Sequence, residues 1–292
     1  MKLLAFRTES GQTRIGQLKA DGEVLPLSYP DGREVSDLVD LIKSAVALNS
    51  LKTDEAALDI ASVQLLAPIP RPARNLFCVG KNYSNHAQEF TKSGFDAGQT
   101  AADAIPSAPI IFSKTPQTVI AHGEPIWDAA GVSDAVDYEA ELAIIIGKGG
   151  RGIAKENALD HVWGYTIVND VTARDWQKRH KQWHMAKSFD TFAPLGPVAV
   201  TADELNGGNL DLKCWVNGEL RQDANTRDLI FDIPTLIETL SAGISLIPGD
   251  IIATGTPEGV GIGFNPPRFL KRGDVVTIEV TGIGRLENKV GA

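Results

Sequence analysis

Short apolar stretches separated by turn residues recur along the chain and give the first indication of its fold. Near the N-terminus, KLLAFR, TRIGQL and EVLPL follow one another with SG and DG dipeptides between them, which predicts short strands joined by turns. Apolar positions then recur at helical spacing over residues 36–49, where Ser36 can cap the start of a helix. A proline-rich segment at 65–75 marks a boundary, so we expect a small α+β domain over residues 1–67.

The remaining residues, 68–292, are expected to form the main domain. Further extended segments in this part of the chain are FCVG, PIIFS, LAIII, YTIV, VAV, LKCWVNG and VVTIEV. The clearest helical pattern, at 231–243, is expected to end at Gly243. Because the strands come in runs and do not alternate one for one with helices, the pattern favours a mostly β, largely antiparallel fold with some α-helix. The polar, turn-rich segment 91–108 predicts a mobile lid or a binding loop.

Composition narrows the class of protein. The net charge of -9 argues against a protein that coats nucleic acid or an anionic membrane. The first residues lack the apolar core of a signal peptide, and the longest apolar runs are far shorter than the roughly 20 residues of a membrane span. Cys78 and Cys214 form neither a disulfide framework nor a CxxC metal pair. We therefore expect a soluble cytoplasmic protein with no membrane or nucleic-acid partner.

Three acids stand two apart in the segment VDYEAELAIIIGKG, at Asp137, Glu139 and Glu141. In a strand they share one face, and like charges beside a core are unfavourable unless something holds them together. A divalent cation such as Mg²⁺ or Mn²⁺ does this, and Asp170, which ends an apolar strand, is the best candidate for a third ligand. Alternatively, Glu139 and Glu141 form the solvent face of an edge strand. Asp137 is expected to cap a turn or to support the ligands, and Thr172 to cap the helix after Asp170.

A possible general base follows the strand LFCVG. His86 and Glu89 are three residues apart, so their side chains meet on one helical turn. A carboxylate beside an imidazole orients the ring and raises its basicity, which suits a general base. The alternative is a surface histidine with a salt-bridge neighbour.

Four further positions are candidates for binding a substrate. Arg174 and Gln177, again three residues apart, can grip a carboxylate or a carbonyl oxygen, or they form an exposed helix face. Lys187 can pair with the acids or hold a substrate, or it is a surface lysine. The glycine-rich loop PGDIIATGTPEGVGIG, with Thr254 and Thr256, can bind an anionic oxygen, or it is only a tight turn.

The motifs G-x-N-Y-x-x-H-x-x-E, D-Y-E-x-E-L, N-D-V-T-A-R-D-x-Q, K-S-F-D and T-G-T-P-x-G-V-G occur in one fixed order. In this order they resemble the fumarylacetoacetate hydrolase family over residues 68–292, and within it the acylpyruvate-hydrolase-like branch. The resemblance implies a mixed β-roll, usually in homodimers. It implies that the Mg²⁺ or Mn²⁺ ligands are Glu139, Glu141 and Asp170, that the water-activating pair is His86 and Glu89, and that the residues lining the substrate or supporting the metal are Arg174, Gln177, Lys187 and Thr256.

The chain departs from the larger members of that family in one respect. Those enzymes carry an additional aspartate ligand upstream of the histidine, whereas the corresponding stretch here, FCVGKNY, has no acid. Water or substrate must then complete the metal shell, and fumarylacetoacetate itself becomes a doubtful substrate.

The expected reaction is hydrolysis of a C–C bond in a 2,4-dioxo acid, such as an acylpyruvate or fumarylpyruvate, through an enolate that the metal stabilises. In this scheme His86 activates water, and Lys187 or Gln177 stabilises the oxyanion. The alternative is decarboxylation or isomerisation of a 2-oxo acid (oxaloacetate or a 2-oxo-hept-ene-dioate) in aromatic or sugar-acid catabolism. Specificity for the far end of the substrate is expected in the loop 87–108, through Phe90 and Phe95.

Two other classes of protein remain open from the sequence. Metal-dependent nucleases also pair acids with a lysine, although usually close together as E-x-K, and the net charge of this chain does not favour DNA. A non-catalytic binding protein is disfavoured because every polar residue of the site pattern is retained.

Overall fold

The computed structural model describes residues 1–53, 56–94 and 104–291. In these residues the strands are β1 Lys2–Arg7, β2 Thr13–Leu18, β3 Glu23–Pro26, β4 Leu58–Asp59, β5 Gln64–Leu66, β6 Leu76–Gly80, β7 Ile110–Lys114, β8 Val119–Ile120, β9 Val136–Asp137, β10 Ala140–Ile146, β11 Val162–Asn169, β12 Thr172–Ala173, β13 Ala193–Thr201, β14 Asp211–Val216, β15 Glu219–Asn225, β16 Ile251–Ala253, β17 Val275–Val280 and β18 Gly284–Lys289. The helices are α1 Leu38–Ser44, α2 Ser84–Lys92, α3 Arg174–Arg179, α4 His184–Lys187 and α5 Ile233–Ser241.

Most strands belong to one large sheet. Its order is β4-β3-β2-β1-β13-β11-β10-β16-β6-β7, with β5 added beside β1 and β8 beside β13. A second sheet has the order β15-β14-β17-β18, and β9 pairs with β12. Among the described strands, only β8 with β13 and β6 with β16 pair in parallel. The predicted mostly β, largely antiparallel architecture with some helix is confirmed.

Local patterns predicted several elements closely and others less well. KLLAFR, TRIGQL and VVTIEV coincide with β1, β2 and β17. Helix α1 is shorter than the 36–49 pattern, and the cap is Asp37 instead of Ser36, because the Asp37 carboxylate accepts the Asp40 N–H at 2.9 Å. Helix α5 ends two residues before Gly243. The polar strands β15 and β18 were not predicted.

The N-terminal strands continue the large sheet. Strand β1 pairs with β13, with Leu3 opposite Ala199. Side chains of this region, including Leu38 and Leu41 on α1, share one apolar core with Ala143 and Ile145 on β10. The boundary proposed after residue 67 stays a prediction, but both sides of it belong to one sheet and one core.

Strand β10 lies at the centre of the fold and carries the site at its start. Its side chains alternate: Leu142 and Ile144 pack into the core beneath the second sheet, whereas Ala143 and Ile145 face the core beside α1. Glu141 precedes Ala143 by two positions and is expected to continue that second face. The acids therefore lie where β10 begins, between two apolar cores.

Three further expectations from the sequence concern the predicted lid, membrane spans and the cysteines. Residues 95–103 of the predicted lid, including Phe95, lie outside the described residues, and 91–92 belong to α2. Across the described part of the chain, no helix is long and apolar enough to cross a membrane. Cys78 and Cys214 are both buried free thiols.

Candidate metal and active site

The predicted acids converge. Glu139, Glu141 and Asp170 each offer one carboxylate oxygen, and these oxygens all lie within 4.8 Å of one another. Strand β10 pairs antiparallel with β11, which brings Asp170 alongside Glu139, and the Asp170 N–H donates to the Glu139 carbonyl at 2.9 Å. The side chains are 4%, 1% and 0% exposed. The edge-strand alternative is therefore wrong, because β10 is flanked by β11 and β16 and is buried along its whole length.

Two lysines hold these carboxylates in place. Lys187 Nζ lies 2.7 Å from both Glu139 Oε2 and Asp170 Oδ2. Lys114, which ends β7, donates to Asp170 Oδ1 at 2.7 Å and to the Val171 carbonyl at 3.0 Å. Both lysines are buried, so the surface alternative for Lys187 is wrong. The role of Lys114 was not foreseen, since its only signal is a lysine that closes an apolar strand.

The same neighbours affect the two glutamates in opposite ways. Burial raises the pKa of Glu139, but the charges of Lys187 and Arg174 outweigh burial and lower it to about 2. Burial raises the pKa of Glu141 well above its usual value, and the Asp170 and Glu139 carboxylates raise it further. The ionised form of Glu139 is thus stabilised by neighbouring cations, whereas that of Glu141 is opposed by neighbouring anions.

This donor set fits a hard divalent cation. Three buried carboxylates offer the oxygen ligands that Mg²⁺ and Mn²⁺ prefer, and Glu141 is already oriented by the Gly255 N–H, which donates to Oε2 at 2.8 Å. The buried carboxylates of the site equal its buried cationic side chains in number. These groups are Asp137, Glu139, Glu141 and Asp170 on one side and Lys81, Lys114, Arg174 and Lys187 on the other. A divalent cation adds positive charge and leaves the site attractive to an anionic substrate.

Arg174 lies between two of the acids. Its Nε donates to Asp137 Oδ2 at 2.8 Å, and its Nη2 lies 2.7 Å from Glu139 Oε1. Nη1 donates to Gln177 Oε1 at 3.0 Å, so the predicted pairing of these two residues on one helical turn is confirmed. Both side chains are buried, which excludes an exposed helix face. Since the guanidinium is occupied by protein partners, it orients Glu139 and Gln177, and its direct grip on a substrate stays a prediction.

Thr172 does not cap the helix that carries Arg174. It lies in β12, where its hydroxyl donates to the Asp170 carbonyl at 2.9 Å. Helix α3 follows Ala173 directly, without a side-chain cap.

Asp137 fastens the glycine-rich loop to the site. Its Oδ1 accepts the N–H groups of Tyr138 at 2.9 Å and Gly261 at 2.7 Å. Its Oδ2 accepts the Ile262 N–H at 3.1 Å in addition to Arg174. The carboxylate therefore joins the loop after β16 to Arg174, which in turn contacts Glu139. Its supporting role for a metal ligand stays a prediction.

The predicted pairing of His86 with Glu89 forms on α2. His86 Nδ1 lies 3.4 Å from Glu89 Oε2, and Glu89 Oε1 accepts the Gly259 N–H at 3.1 Å. His86 is 5% exposed and lines the same cavity as Glu139, so the surface-histidine alternative is wrong. A Cβ atom added to Gly263 would overlap Glu89 Oε1, and this close approach explains one of the loop glycines.

The cavity is small and polar below, aromatic above. Its polar lining includes His86, Glu139, Glu141, Gln177, Lys187 and Thr256, and its roof consists of Phe90, Phe112 and Trp183. Because Gln177 Oε1 accepts from Arg174, the amide N–H₂ is left to donate into the cavity. Thr256 Oγ1 accepts from Gln222 at 2.8 Å, which leaves its own hydrogen to donate. Thr254 is otherwise engaged, since its hydroxyl donates to the Leu142 carbonyl.

Comparison with known proteins points to one family. The model of the fumarylacetoacetate (FAA) hydrolase C-terminal family matches residues 75–291. An oxaloacetate tautomerase of Bacillus subtilis is 51% identical over 233 residues, which cover 80% of this chain and 74% of that protein.

Two solved structures extend the likeness to the whole fold. A fumarylacetoacetate hydrolase from Exiguobacterium antarcticum is 40% identical, has a TM-score of 0.84 and covers 100% of this chain and 99% of its own. A maleylpyruvate hydrolase from Sphingobium was solved in complex with manganese(II) and pyruvate. It is 32% identical with a TM-score of 0.74, and the match covers 99% of this chain and 98% of the Sphingobium chain.

Proposed function

The chain belongs to the fumarylacetoacetate hydrolase family, and from this premise we propose that it interconverts the keto and enol forms of a small 2-oxo acid of the oxaloacetate type. Glu139, Glu141 and Asp170 would hold Mg²⁺ or Mn²⁺ in this reaction. The isomerase alternative foreseen from the sequence is thus better supported than hydrolysis of an acylpyruvate, since the B. subtilis relative is a tautomerase.

The residues around the cavity have chemistry that suits a proton transfer. When bound, the metal supplies Lewis-acid stabilisation of negative charge on the oxo oxygen. His86, oriented by Glu89, removes a proton from the methylene carbon beside the oxo group and returns it to the oxo oxygen. Gln177 and Thr256 donate hydrogen bonds to the substrate, and Lys187 stabilises the charge that develops. No bond between carbon atoms is broken.

The observation that carries this proposal is the enclosure of the base with the acids. His86 and the carboxylates of Glu139 and Glu141 line one cavity that has room for about a single water molecule. A tautomerisation needs a base and a bound oxo acid but no attacking water, so the groups that line this cavity are sufficient for it.

Hydrolysis remains the second candidate. The E. antarcticum protein, whose structure resembles this chain over its full length, is named a hydrolase, and the His86–Glu89 pair has the form of a water-activating base. The homodimer expected from the family also stays a prediction, to be checked by light scattering of the purified protein.

A substrate panel with Mg²⁺ and Mn²⁺ tests the proposal. We expect faster keto–enol interconversion of oxaloacetate, followed by ultraviolet absorbance, and its loss in EDTA. His86→Ala should lower the rate by about 10²–10⁴-fold and leave Mn²⁺ binding, followed by electron paramagnetic resonance, unchanged. His122→Ala, on a turn beside β18, is the control. Release of pyruvate from acylpyruvates without any tautomerisation would make the protein a hydrolase, and release of CO₂ alone would make it a decarboxylase.

A further inference from the structure

We infer that Trp183 is a movable roof that sets the size of the 2-oxo acid admitted to the site. This inference rests on the proposed function for the class of substrate. It concerns a residue that none of the sequence motifs marked, and it begins with how little space the cavity holds.

The cavity cannot accept a substrate as it stands. The space beside His86, Glu139 and Lys187 is about that of a single water molecule. Pyruvate, one of the smallest 2-oxo acids, has about six heavy atoms and needs several times that space. Some part of the lining must therefore move when a substrate binds, and the lining residues differ in how firmly they are held.

The polar part of the lining formed by Glu139 and Lys187, which we call the floor, is held firmly. Lys187 bridges Glu139 and Asp170 with two contacts of 2.7 Å, and all three side chains are buried. Moving these groups would separate buried charges, which is costly. The floor is thus expected to stay in place when the substrate arrives.

The roof is held by ring contacts. Trp183 packs edge-to-face against Phe90, with ring centroids 5.8 Å apart, and against Phe112, with centroids 5.4 Å apart. Such pairs contribute only about 0.5–1.5 kcal/mol each beyond their burial. Phe90 is buried, whereas Trp183 and Phe112 are both partly exposed. Phe112 lies within strand β7, whereas Trp183 precedes the short helix α4, so its indole is the part of the roof that can swing towards solvent.

Gly80, at the end of β6, shows how closely the indole covers the site. A Cβ atom added at Gly80 would overlap the six-membered ring of Trp183, so the indole rests directly on the backbone there. The Trp183 carbonyl accepts the Lys187 N–H at 3.1 Å, which places the roof and a cation of the floor on one short turn. A bulky group on the substrate would meet the indole before its oxo acid end reached Lys187.

The experiment compares two 2-oxo acids of different bulk, oxaloacetate and phenylpyruvate, on Mn²⁺-loaded protein. Trp183→Ala should raise kcat/KM for phenylpyruvate tautomerisation about 10–200-fold, the range for adding space to an apolar pocket. For oxaloacetate it should not rise. Trp183→Phe, which retains a smaller ring, should be intermediate. Trp215→Ala, which removes an indole from β14 in the second sheet, is the control and should change neither value.

Calorimetric binding of pyruvate and phenylpyruvate to the same proteins separates this inference from the proposed function. Suppose that the wild type tautomerises neither acid, that it excludes phenylpyruvate, and that Trp183→Ala binds phenylpyruvate. The proposed function is then wrong, but the inference that Trp183 limits the size of the substrate is supported. If the wild type binds both acids equally well, or if Trp183→Ala and Trp183→Phe keep the wild-type preference, the inference that Trp183 limits the size of the substrate is wrong. Thermal melting and Mn²⁺ resonance spectra confirm that each variant is folded and loaded.

Discussion

Lys114 donates to Asp170 at 2.7 Å in a place where both side chains are completely buried. Burial lowers the pKa of Lys114, and the Asp170 carboxylate opposes that change. The two charges therefore depend on each other: each is tolerated in the interior because its partner is there. Lys114 leaves Asp170 Oδ2 to Lys187, so it fixes how the carboxylate faces the other acids.

Lys114→Met should destabilise the metal-free protein by about 3–5 kcal/mol, because it leaves the Asp170 carboxylate buried without one of its partners. Urea unfolding in EDTA measures this. Lys213→Met is the matched control, since Lys213 forms an exposed pair with Asp223 at 3.1 Å and such pairs contribute about 0–1 kcal/mol. Equal losses in the two variants would contradict the assigned role of Lys114.

Periodic spacing predicted those contacts of the site whose partners are close along the chain, whereas Asp170 and Lys187, which lie farther away, were predicted from the end of an apolar strand and from the ordered motifs. Strand alternation placed Glu139 and Glu141 together, and helical spacing placed His86 beside Glu89. Lys114 was missed because its partner is 56 residues away, and no periodic pattern connects the end of β7 with the residue that follows β11.

The same limit applies to the fold. Strands such as β1 and β17 were visible because their apolar residues are contiguous or alternate. The polar strand β18 was not visible, since it is specified by pairing with β17 and not by its own side chains. The position of Trp183 over the site was likewise not predictable, because its indole packs on Gly80, which is far away along the chain.

Glu139 and Glu141, the two proposed glutamate ligands, should respond differently to neutralisation of their charge. Glu139→Gln should destabilise the metal-free protein, because Lys187 and Arg174 lose a buried anion. Glu141→Gln should be neutral or stabilising, because burial and the nearby carboxylates disfavour its charge and raise its pKa. Thermal unfolding in EDTA compares them.

The stabilisation that Mn²⁺ gives to the folded protein provides a second test of Glu139 and Glu141. The wild type should gain about 2.7 kcal/mol at a Mn²⁺ concentration of 100 times Kd, and both variants should lose most of that gain. A full metal response in Glu141→Gln would show that Glu141 is not a ligand.

Asp137→Asn should lower activity by about 10–100-fold, the usual effect of losing a group that orients a ligand. The carboxylate accepts on both oxygens, from Gly261 and Tyr138 on one side and from Arg174 and Ile262 on the other. An amide keeps only one acceptor and turns its N–H₂ towards donors.

Metal titration distinguishes this supporting role from ligation. The Asp137→Asn variant should bind Mn²⁺ nearly as the wild type does, whereas loss of binding comparable to that of Glu141→Gln would make Asp137 a ligand. Asp223→Asn, in the exposed pair with Lys213, is the control for removing one carboxylate charge.

Gly263→Ala should impair catalysis through Glu89 without touching the metal ligands. A methyl group at this position would overlap Glu89 Oε1, so the carboxylate must leave the Gly259 N–H and its place beside His86 Nδ1. Without that partner His86 loses its orientation, and kcat should fall about 10²-fold while Mn²⁺ affinity is retained. Gly243→Ala is the matched control, because a Cβ there meets no neighbouring atom. If Gly263→Ala turned over at the wild-type rate, orientation of His86 by Glu89 would not matter for catalysis.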